Sequence, residues 1–334
     1  MAADRPVRVC VDAVGGDRAP SEILQGVSAA LRDLPGVSVT LVGPERIVVP
    51  YAETHERAFA HPASETIGMD EHPANAVRSK KDSSIVVGSR LVREGEADAF
   101  FSAGSTGACM AAATLVMGRI RGVTRPAIAT VIPTASTPSV LVDAGANADC
   151  RPEHLVAFAH MGAAYARRVL DIADPRIALL NIGEEPSKGS ALAVEAHESM
   201  ASSVPGFVGN VEGRDVLSGA VDVIVTDGFT GNVALKLLEG TSRTLLSQVK
   251  AEMTATLPRK LAAVVLAPAL KGLKDRLDPD AYGGAPLLGV RGVCIIGHGS
   301  SGAYAVSQAI RVAATAVRND LTTAITQAIE STDR

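Results

Sequence analysis

The stretch that decides the fold is Val7–Pro20, which reads VRVCVDAVGGDRAP. Its opening residues, Val7–Val11, are rich in β-branched side chains and predict a short buried strand. An aspartate and two glycines follow that strand, and Pro20 begins an amphipathic segment that reaches Asp33. Proline is favoured in the first turn of a helix because that position needs no N–H donor. A further strand is predicted at Val37–Val42, so the order strand, helix, strand indicates a parallel pair joined by a crossover helix.

The alternation of short β-branched runs with longer amphipathic segments continues to the end of the chain. The other predicted strands are Ala97–Ser102, Ile128–Ile132, Ser139–Val142, Ile177–Asn181, Val221–Thr226 and Gly292–Gly297. The predicted helices are Pro20–Asp33, Ala74–Gly95, Thr106–Arg119, Pro152–Val169, Gly189–Ser202, Thr230–Met253, Arg259–Leu277 and Ser301–Glu330. Several strands are apolar at consecutive positions, as expected where helices cover both faces of a sheet. The sequence therefore predicts an α/β fold with a mostly parallel sheet, organised as one catalytic domain over residues 1–334 with two lobes around a crevice.

The composition is that of a globular protein and narrows the range of functions. Hydrophobic residues make up 47% of the 334 residues, charged residues 20%, and the formal net charge is −4. The sequence has no basic stripe interleaved with aromatic residues, which argues against a nucleic-acid partner. Its four cysteines lie far apart, without the paired spacing of zinc or iron–sulfur sites. The first residues lack the apolar run of a signal peptide, so we expect a cytoplasmic protein.

Three predicted strands run into an aspartate that small residues follow. These aspartates are Asp12 in CVDAVGGD, Asp143 in VLVDAGANAD and Asp227 in VIVTDGFTGN. Ligands of open α/β sheets bind at the carboxyl ends of the strands, so we expect the three side chains to face one crevice. An aspartate after a strand is also a common helix N-cap or turn residue, and this structural alternative applies to each of them.

Two glycine-rich loops have a composition suited to binding an anion. The first follows the predicted strand Ala97–Ser102 and contains Gly104, Ser105, Thr106 and Gly107. Free backbone N–H groups at a helix start can hold a phosphate, although a simple capped turn has the same composition. The second loop, LLNIGEEPSKGS, places Asn181 and Lys188 after a buried strand. The Lys188 ammonium suits a phosphate, whereas an ion pair with Glu184 or Glu185 would make it an ordinary surface residue.

Two further loops complete the predicted site. The loop TDGFTGN carries Asp227 and Asn232, and the loop IIGHGSSGAYA places His298 between glycines. Histidine suits general acid–base chemistry because its pKa lies near neutrality, but a lone histidine is more often structural. The chain lacks the signatures of a P-loop, a dinucleotide-binding turn and an α/β-hydrolase elbow. No cluster of His, Asp and Glu has the spacing of metal ligands, so the sequence predicts neither a metal nor a cofactor.

Together the loops define the predicted site residues. The predicted catalytic residues are Lys188, His298, Asp227 and Asn232. The predicted substrate-binding residues are Asp12, Gly15, Gly16, Gly104, Ser105, Thr106, Gly107, Asp143, Asn147, Asn181, Gly228, Gly231, Ser300 and Ser301. Glycine amides, hydroxyls and a lysine favour an anion and an uncharged carbonyl as ligands, bound for direct displacement without a covalent enzyme intermediate.

In combination, these loops resemble the phosphate acyltransferases of bacterial phospholipid synthesis. The matching stretches are Asp12–Pro20 (DAVGGDRAP), Ser102–Ala108 (SAGSTGA), Val142–Cys150 (VDAGANADC), Leu179–Gly189 (LLNIGEEPSKG), Val225–Lys236 (VTDGFTGNVALK), Tyr282–Gly292 (YGGAPLLGVRG) and His298–Ala305 (HGSSGAYA). They span nearly the whole chain in the order the family has. The chain departs from the family pattern at Val14, where methionine is usual, and at Arg18, where histidine is common. Neither change removes a group of catalytic type.

The resemblance implies an activity, a fold and partners. Members of this family make an acyl phosphate from an acyl–acyl carrier protein thioester and inorganic phosphate. They pass the product to a membrane glycerol-phosphate acyltransferase, are usually homodimers, and share the fold of isocitrate and isopropylmalate dehydrogenases and phosphate acetyltransferases. The resemblance is consistent with a phosphate held by Lys188 and the amides of Gly104–Gly107, and with His298 protonating the departing thiol. Amides near Gly228–Gly231 or Gly299–Ser301 would stabilise the oxyanion, with Asp227 and Asn232 orienting His298 or the phosphate.

Other activities fit the same loops less completely. A phosphate acetyltransferase or butyryltransferase acting on acyl-coenzyme A shares the reaction and the fold. A decarboxylating dehydrogenase relative would need a divalent metal and a cofactor pocket, for which the sequence shows no spacing. A scaffold without catalysis would leave the glycine-rich loops without a purpose.

Residues 254–281 are predicted to form a helical hairpin insertion. Within it, the stretch Leu257–Leu277 reads LPRKLAAVVLAPALKGLKDRL. Basic residues flank its apolar middle at Arg259, Lys260, Lys271, Lys274 and Arg276. Pro268 predicts a break into two short helices. A basic amphipathic helix can lie on anionic lipid, which predicts peripheral membrane contact, while a dimer interface is an alternative that can coexist with it.

Overall fold

The computed structural model describes residues 5–134, 136–277 and 279–332. Its strands are β1 (Val7–Asp12), β2 (Val37–Gly43), β3 (Ala58–Pro62), β4 (Ala99–Ser102), β5 (Ala127–Ile132), β6 (Ser139–Val142), β7 (Ile177–Asn181), β8 (Phe207–Glu212), β9 (Val223–Val225), β10 (Ala285–Leu288) and β11 (Val293–Ile296). They form one sheet in the order β3–β2–β1–β4–β11–β10–β5–β6–β9–β7–β8.

Helices connect the strands and cover the sheet. They are α1 (Ser21–Asp33), α2 (Glu45–Glu53), α3 (Pro73–Ser79), α4 (Ser84–Arg93), α5 (Thr106–Ala112), α6 (Pro152–Val169), α7 (Ala191–Ser203), α8 (Gly228–Thr254), α9 (Leu257–Leu277), α10 (Ala303–Arg318) and α11 (Leu321–Thr332). With this sheet they confirm the predicted α/β class.

The sheet has two halves of opposite strand direction. The strands β3, β2, β1, β4 and β11 run parallel to one another in the first half. The strands β6, β9, β7 and β8 run parallel in the second half. Between the halves, β10 and β5 make antiparallel pairs with their neighbours. The sheet is therefore mostly parallel, as predicted, and its direction reverses between β11 and β6.

The central strands are buried on both faces, as their continuous apolar runs predict. On β1, the side chains of Val9 and Val11 join the core formed with α1, α6 and α10. The side chain between them, Cys10, joins the core formed with α4 and α5 on the other face. Successive side chains of a strand point to opposite faces, so an unbroken apolar run is what two covered faces require.

Two predicted helices are each divided in the structure. The segment Ala74–Gly95 forms α3 and α4, because the residues between them bind a distant loop: Ser64 N donates to an Asp82 carboxylate oxygen at 2.8 Å. The segment Ser301–Glu330 forms α10 and α11, which meet at Asp320, a residue with a φ of 49°. That backbone conformation lies outside the right-handed helix and ends it.

Four elements of the structure have no clear sequence pattern and were not predicted. β3 and β8 are the edge strands of the sheet. β3 ends at Pro62, β8 contains Gly209, and the four-residue β10 contains Pro286. The helix α2 contains Pro50. Proline and glycine weaken the patterns by which strands and helices are recognised.

The predicted hairpin, residues 254–281, contains one long α-helix in its described part, α9, and the hairpin in the structure is formed by α9 with the distal part of α8. Among the described residues of α8, only Gly228 and Gly231 are buried. The predicted break at Pro268 is wrong, since α9 runs through that residue. The N–H that proline lacks would have bonded to the carbonyl of Val264, and Val264 is 71% exposed, so water can satisfy that oxygen. The side chains of Lys274 and Arg276 lie outside the described residues. In the described part of the chain, no helix is long and apolar enough to cross a membrane.

Candidate active site

The first group of site residues lies where β1, β4 and β11 end, and we call residues 12–18, 102–107 and 298–302 the first cluster. Asp12, the last residue of β1, is 1% exposed. Its carboxylate accepts a hydrogen bond from Ser102 Oγ at 2.7 Å, and Ser102 Oγ accepts one from Gly104 N at 3.0 Å. Burial raises the pKa of the Asp12 carboxyl, while the hydrogen bond from Ser102 opposes that rise. This chain of donors and acceptors joins the loops that follow β1 and β4.

Ser102 begins the Ser102–Gly107 turn that was predicted to contact the ligand, but it is not among the individually predicted substrate-binding residues. It is fully buried, and it is the only side chain of the β4 sequence AFFS that can both donate and accept a hydrogen bond. A hydroxyl that ends an otherwise apolar strand is the signal that could have identified it.

Two glycines allow the loop after β1 to approach its neighbours. A Cβ on Gly15 would lie 2.5 Å from Asp12 Oδ2 and 2.7 Å from Gly104 N. Gly16 has a φ of 108°, a conformation that residues with a Cβ rarely adopt. These two predicted site residues therefore have a structural reason to be glycine.

The loops after β1 and β11 are in direct contact. Asp17 N donates to the carbonyl oxygen of Gly299 at 2.7 Å. The Arg18 guanidinium donates to the carbonyl oxygen of Ser300 and lies 3.8 Å from Glu22. Arg18, which the sequence analysis noted only as a departure from the family pattern, thus joins the Asp12 loop to the His298 loop.

His298 is exposed, and its hydrogen bonds assign its tautomer. Its Nδ1 accepts a hydrogen bond from Ser300 N at 3.2 Å and lies 2.8 Å from Ser300 Oγ. A backbone N–H is only a donor, so Nδ1 is an acceptor and the neutral ring carries its proton on Nε2. Ser300 therefore orients His298, while Ser301, also in the predicted set, is 8% exposed and its N–H donates to the His298 carbonyl oxygen at 2.9 Å.

The Gly104–Gly107 loop leads into α5 as a capped turn. Ser105 Oγ accepts a hydrogen bond from Ala108 N at 3.4 Å, which confirms the capping alternative for this serine. A Cβ on Gly107 would lie 2.6 Å from a side-chain carbon of Pro73, so α3 packs closely against this turn. Thr106 is exposed. The first N–H groups of a helix lack partners within the helix, so the turn can still offer donors to an anion.

The second group of site residues lies where β6, β7 and β9 end, and we call residues 143–147, 181–189 and 227–232 the second cluster. The buried Asp143 carboxylate accepts five hydrogen bonds, from Ile128 N, Gly145 N, Ala146 N, Asn147 N and Asn147 Nδ2, at 2.7–3.1 Å. Burial raises the pKa of this carboxyl, and the hydrogen bonds oppose that rise. All five donors belong to the protein, so the Asp143 carboxylate holds its own loop in place. Substrate binding by Asp143 and Asn147 stays a prediction.

Asp227 caps the long helix α8. Its two carboxylate oxygens accept hydrogen bonds from Thr230 N and Thr230 Oγ1, both at 2.8 Å. This geometry confirms the N-cap alternative for Asp227, and its predicted catalytic role stays a prediction. The exposed side chain of Asn232 lies beside Gly145, where a Cβ would be 3.6 Å from Asn232 Oδ1.

The first turn of α8 packs backbone to backbone on the Asp143–Asn147 loop. Gly228 N donates to the carbonyl oxygen of Asn147 at 2.8 Å. A Cβ on Gly228 would lie 2.7 Å from Asn147 N, and a Cβ on Gly231 would overlap the carbonyl oxygen of Asp143. The two predicted glycines therefore permit this packing.

Lys188 stands on a loop that Asn181 closes. Asn181 Nδ2 donates to the carbonyl oxygen of Lys188 at 2.8 Å, and Asn181 Oδ1 accepts from Ile182 N at 2.8 Å. Lys188 is exposed, and within the described ranges no carboxylate forms an ion pair with its ammonium. Glu184 instead lies 3.7 Å from Arg214. The surface ion pair considered for Lys188 is thus not observed.

Hydrogen bonds join the three loops of the first cluster, and in the second cluster they join residues 143–147 to residues 227–232. In the described ranges no hydrogen bond or ion pair links the loop 181–189 to those two loops. The two clusters belong to different halves of the sheet. Asp12 ends a strand of the first half, whereas Asp143 and Asp227 follow strands of the second half, which run in the opposite direction. In the part of the chain that the structure describes, no hydrogen bond or ion pair links the two clusters. That the three aspartates face one crevice stays a prediction.

The cysteine thiols are unsuited to covalent catalysis. All four are free. Burial raises the pKa of Cys109 to about 12 and that of Cys150 to about 11, so both are protonated near neutral pH. No group of three or more His, Cys, Asp or Glu side chains among the described residues could hold a metal ion.

Comparison with known proteins finds close relatives over the whole chain. Residues 7–324 match the family described as "Fatty acid synthesis protein". A phosphate acyltransferase of Heliobacterium modesticaldum is 49% identical over 328 residues, which cover 97% of this chain and 98% of that protein. A phosphate acyltransferase of Desulfitobacterium hafniense is 51% identical over 311 residues, 92% of each chain. One from Nostoc sp. is 49% identical over 321 residues, 94% of each chain.

Solved structures of lower identity share the fold. A phosphotransacetylase from Streptococcus pyogenes superposes with a TM-score of 0.62 at 18% identity and covers 94% of each chain. A branched-chain phosphotransacylase from Enterococcus faecalis superposes with a TM-score of 0.59 at 15% identity, over 93% of this chain and 99% of that one. The arrangement of strands and helices is thus that of the phosphotransacylases, as the resemblance implied.

Proposed function

Because the chain belongs to the phosphate acyltransferase family, we propose that its reaction is transfer of an acyl group from an acyl carrier protein thioester to inorganic phosphate. The observation that carries the proposal is the position of Lys188. Its ammonium has no partner carboxylate among the described residues, and its loop follows β7, which pairs in parallel with β9, the strand before Asp227. A phosphate at this edge would meet an available cation and the start of a 27-residue helix.

The reaction needs no group beyond those in the two clusters. A phosphate oxygen attacks the thioester carbonyl carbon, the new C–O bond forms, and the C–S bond breaks. The oxyanion in between is stabilised by backbone N–H groups near Gly228–Gly231 or Gly299–Ser301 that are not already hydrogen-bonded. The N–H groups of Gly228, Thr230, Gly231, Ser300 and Ser301 have protein acceptors and are not among them. The attacking hydrogen phosphate loses its proton on becoming the acyl phosphate, and the departing sulfur takes one up; we assign this transfer to His298, whose ring accepts the proton from the phosphate and then, as the imidazolium, donates one to the sulfur. Lys188 neutralises charge on the phosphate, and those amides of the Gly104–Gly107 loop that are not already bonded, as Gly104 N is to Ser102, position it.

Sheet twist supports a shared crevice for the two clusters. Adjacent strands rotate by about 20–25°, so the six steps from β1 to β9 add up to about 120–150°. In a flat sheet β9 would run at 180° to β1. A twist of about 120–150° therefore leaves an angle of about 30–60° between the two strand directions. The carboxyl ends of both halves then point to the same side of the molecule. In this arrangement Asp12, Asp143 and Asp227 border one crevice.

A donor comparison tests the proposed function. The protein is incubated with phosphate and either an acyl–acyl carrier protein or the matching acyl-coenzyme A, and acyl phosphate is followed by phosphorus NMR. We expect acyl phosphate to form faster with the carrier protein at equal donor concentration. Product with acyl-coenzyme A alone would support a phosphate acetyltransferase or butyryltransferase activity instead, and no product with either donor would contradict the proposal.

The α8–α9 hairpin is the part of the molecule we propose for membrane and dimer contact. Apolar side chains are exposed on both helices: Leu261 is 65% exposed, Val264 71% and Val265 80% on α9, and Leu245 60% on the distal part of α8. An exposed apolar surface of this kind is expected to bind a second copy, a lipid surface, or each at a different part. We propose a cytoplasmic homodimer that touches the inner face of the membrane and delivers acyl phosphate to a membrane glycerol-phosphate acyltransferase.

Vesicle flotation tests the membrane contact. We expect the wild-type protein to float with vesicles that contain anionic lipid. Leu266→Glu should reduce the floated fraction severalfold, because Leu266 is 50% exposed on α9 and a charge there is costly to bury. The control is Leu217→Glu, at a 45% exposed leucine outside the hairpin, which should float like the wild type. No flotation of either the wild type or Leu266→Glu would contradict the lipid proposal.

A further inference from the structure

A cavity of about 450 Å³ opens beside the start of α6, and the residues that line it include Arg125, Cys150, Arg151 and His154. Its volume falls in the range of about 300–1,000 Å³ typical of small-molecule sites. Arg125 precedes β5, and Cys150 follows the loop after β6. The cavity therefore lies at the sheet edge where the second cluster is found.

His154 presents a hydrogen-bond donor to this cavity. It is 7% exposed, and its Nδ1 accepts a hydrogen bond from Arg151 N at 3.1 Å. That backbone donor leaves the proton of the neutral ring on Nε2. Burial lowers the pKa of His154; the charge of Glu153 opposes this shift, and the charges of Arg125 and Arg151 add to it, so the net effect favours the neutral ring. Within the described part of the chain, Nε2 has no hydrogen-bond partner, so its N–H is available to an acceptor in the cavity.

The charges around the cavity favour an anion of low charge. Arg125 is exposed and forms no ion pair with any described residue, while Arg151 lies 3.6 Å from Glu153. Asp149 and Glu153 also line the cavity and balance the two guanidinium groups. The start of the 18-residue helix α6 adds a positive dipole end. A single phosphate group suits this balance better than a polyphosphate does.

The cavity is also continuous with the second cluster. Cys150 Sγ donates to the carbonyl oxygen of Asn147 at 3.6 Å, and Gly228 N donates to the same oxygen at 2.8 Å. Asn147 Nδ2 donates to the carbonyl oxygen of Pro126, next to Arg125, at 2.8 Å. Asn147 therefore lies between the cavity and the start of α8, and a ligand in the cavity would be separated from that helix by this one residue.

We propose that this cavity binds the phosphate end of the phosphopantetheine arm that carries the acyl thioester, with Arg125 and His154 Nε2–H contacting the phosphate. The identity of the ligand rests on the proposed function, because acyl carrier proteins and coenzyme A both present their thioester on this arm. Arg125 determines the affinity for the phosphate, and the remainder of the arm extends past Asn147 toward the second cluster.

The test compares two small probes that differ by the phosphate alone. Ligand-observed NMR titrations with 4′-phosphopantetheine and with pantetheine are run on the full-length wild type and on Arg125→Ala. We expect the wild type to bind 4′-phosphopantetheine about tenfold more tightly than pantetheine, the effect of a charge-assisted contact. Arg125→Ala should abolish most of that difference and leave pantetheine binding unchanged. Equal affinity of the wild type for the two probes, or the same preference in Arg125→Ala, would overturn the proposal.

Two control variants test whether the effect is specific to Arg125 and whether Arg125→Ala is folded. Arg46→Ala removes an exposed arginine from α2, remote from the second cluster in the strand order, and should keep the wild-type preference. Arg125→Lys keeps the charge and should restore part of the preference, which shows that a loss in Arg125→Ala does not come from misfolding.

Larger donors identify the source of the arm. If carrier protein is the donor, Arg125→Ala should weaken binding of the holo carrier protein by about the same tenfold. An effect on coenzyme A alone would assign the arm to coenzyme A. Phosphate-dependent binding through Arg125 without acyl phosphate formation would refute the proposed function and keep the cavity assignment. Acyl phosphate formation together with unchanged binding in Arg125→Ala would support the proposed function and refute the cavity assignment.

Discussion

Gly231→Ala should lower the stability of the protein by about 3 kcal/mol, the upper part of the range for overpacking a well-packed interior. The reason is one contact. A Cβ at this position would overlap the carbonyl oxygen of Asp143, and that oxygen belongs to backbone and cannot rotate away. To make room, α8 must move from the Asp143–Asn147 loop, which breaks the hydrogen bond from Gly228 N to Asn147. The measurement is the urea midpoint followed by circular dichroism.

The matched control lies nine residues further along the same helix. Gly240 has open space where its Cβ would be, so Gly240→Ala adds a methyl group that touches nothing. Alanine has a higher helix propensity than glycine, and this variant should gain up to about 1 kcal/mol. Opposite signs at two glycines of one helix would isolate the contact with Asp143 as the cause. Equal stability of Gly231→Ala and the wild type would show that α8 does not pack on this loop as described.

Local pattern predicted the central elements of the fold because their burial leaves a strong signal. The boundaries Pro152–Val169 and Ile177–Asn181 agree with the structure at both ends. The break between α3 and α4 could not be predicted in this way, since it depends on Asp82 binding Ser64, 18 positions away in sequence. Edge strands are covered less and paired on one side, so their sequences carry weaker patterns.

The same distinction between local and distant contacts applies to the site. The sequence places Asp12, Asp143 and Asp227 after strands, and the structure confirms those positions. The distant hydrogen-bond partners of two of these carboxylates could not be predicted. Asp12 accepts a hydrogen bond from Ser102, 90 positions away, and Asp143 accepts one from the N–H of Ile128 on a neighbouring strand. All three carboxylates also bind near neighbours in sequence, as the turn and N-cap alternatives predicted: Asp12 accepts from Val14 N, Asp143 from the N–H groups of residues 145–147, and Asp227 from Thr230.

Lys188→Ala should raise the phosphate concentration needed for half-maximal acyl phosphate formation by about 10- to 100-fold. This range corresponds to about 1.5–3 kcal/mol for a hydrogen bond to a charged group. The ammonium is the cation of the second cluster that no described carboxylate neutralises, so its removal takes away charge compensation from the phosphate and little else. The KM for the acyl donor should change far less, because the thioester is uncharged. Steady-state kinetics with phosphate varied at saturating donor measure the effect.

Two further variants separate charge from mere loss of a side chain. Lys188→Arg keeps the positive charge and should retain much of the phosphate affinity, although a planar guanidinium does not replace a compact ammonium fully. Lys250→Ala removes an exposed lysine of α8 outside both clusters and should leave phosphate dependence unchanged. Since the Lys188 loop is held by the side chain of Asn181 and not by the lysine side chain, the fold should survive Lys188→Ala. An unchanged phosphate dependence in that variant would remove Lys188 from the site and leave the Gly104–Gly107 amides as the proposed phosphate ligands.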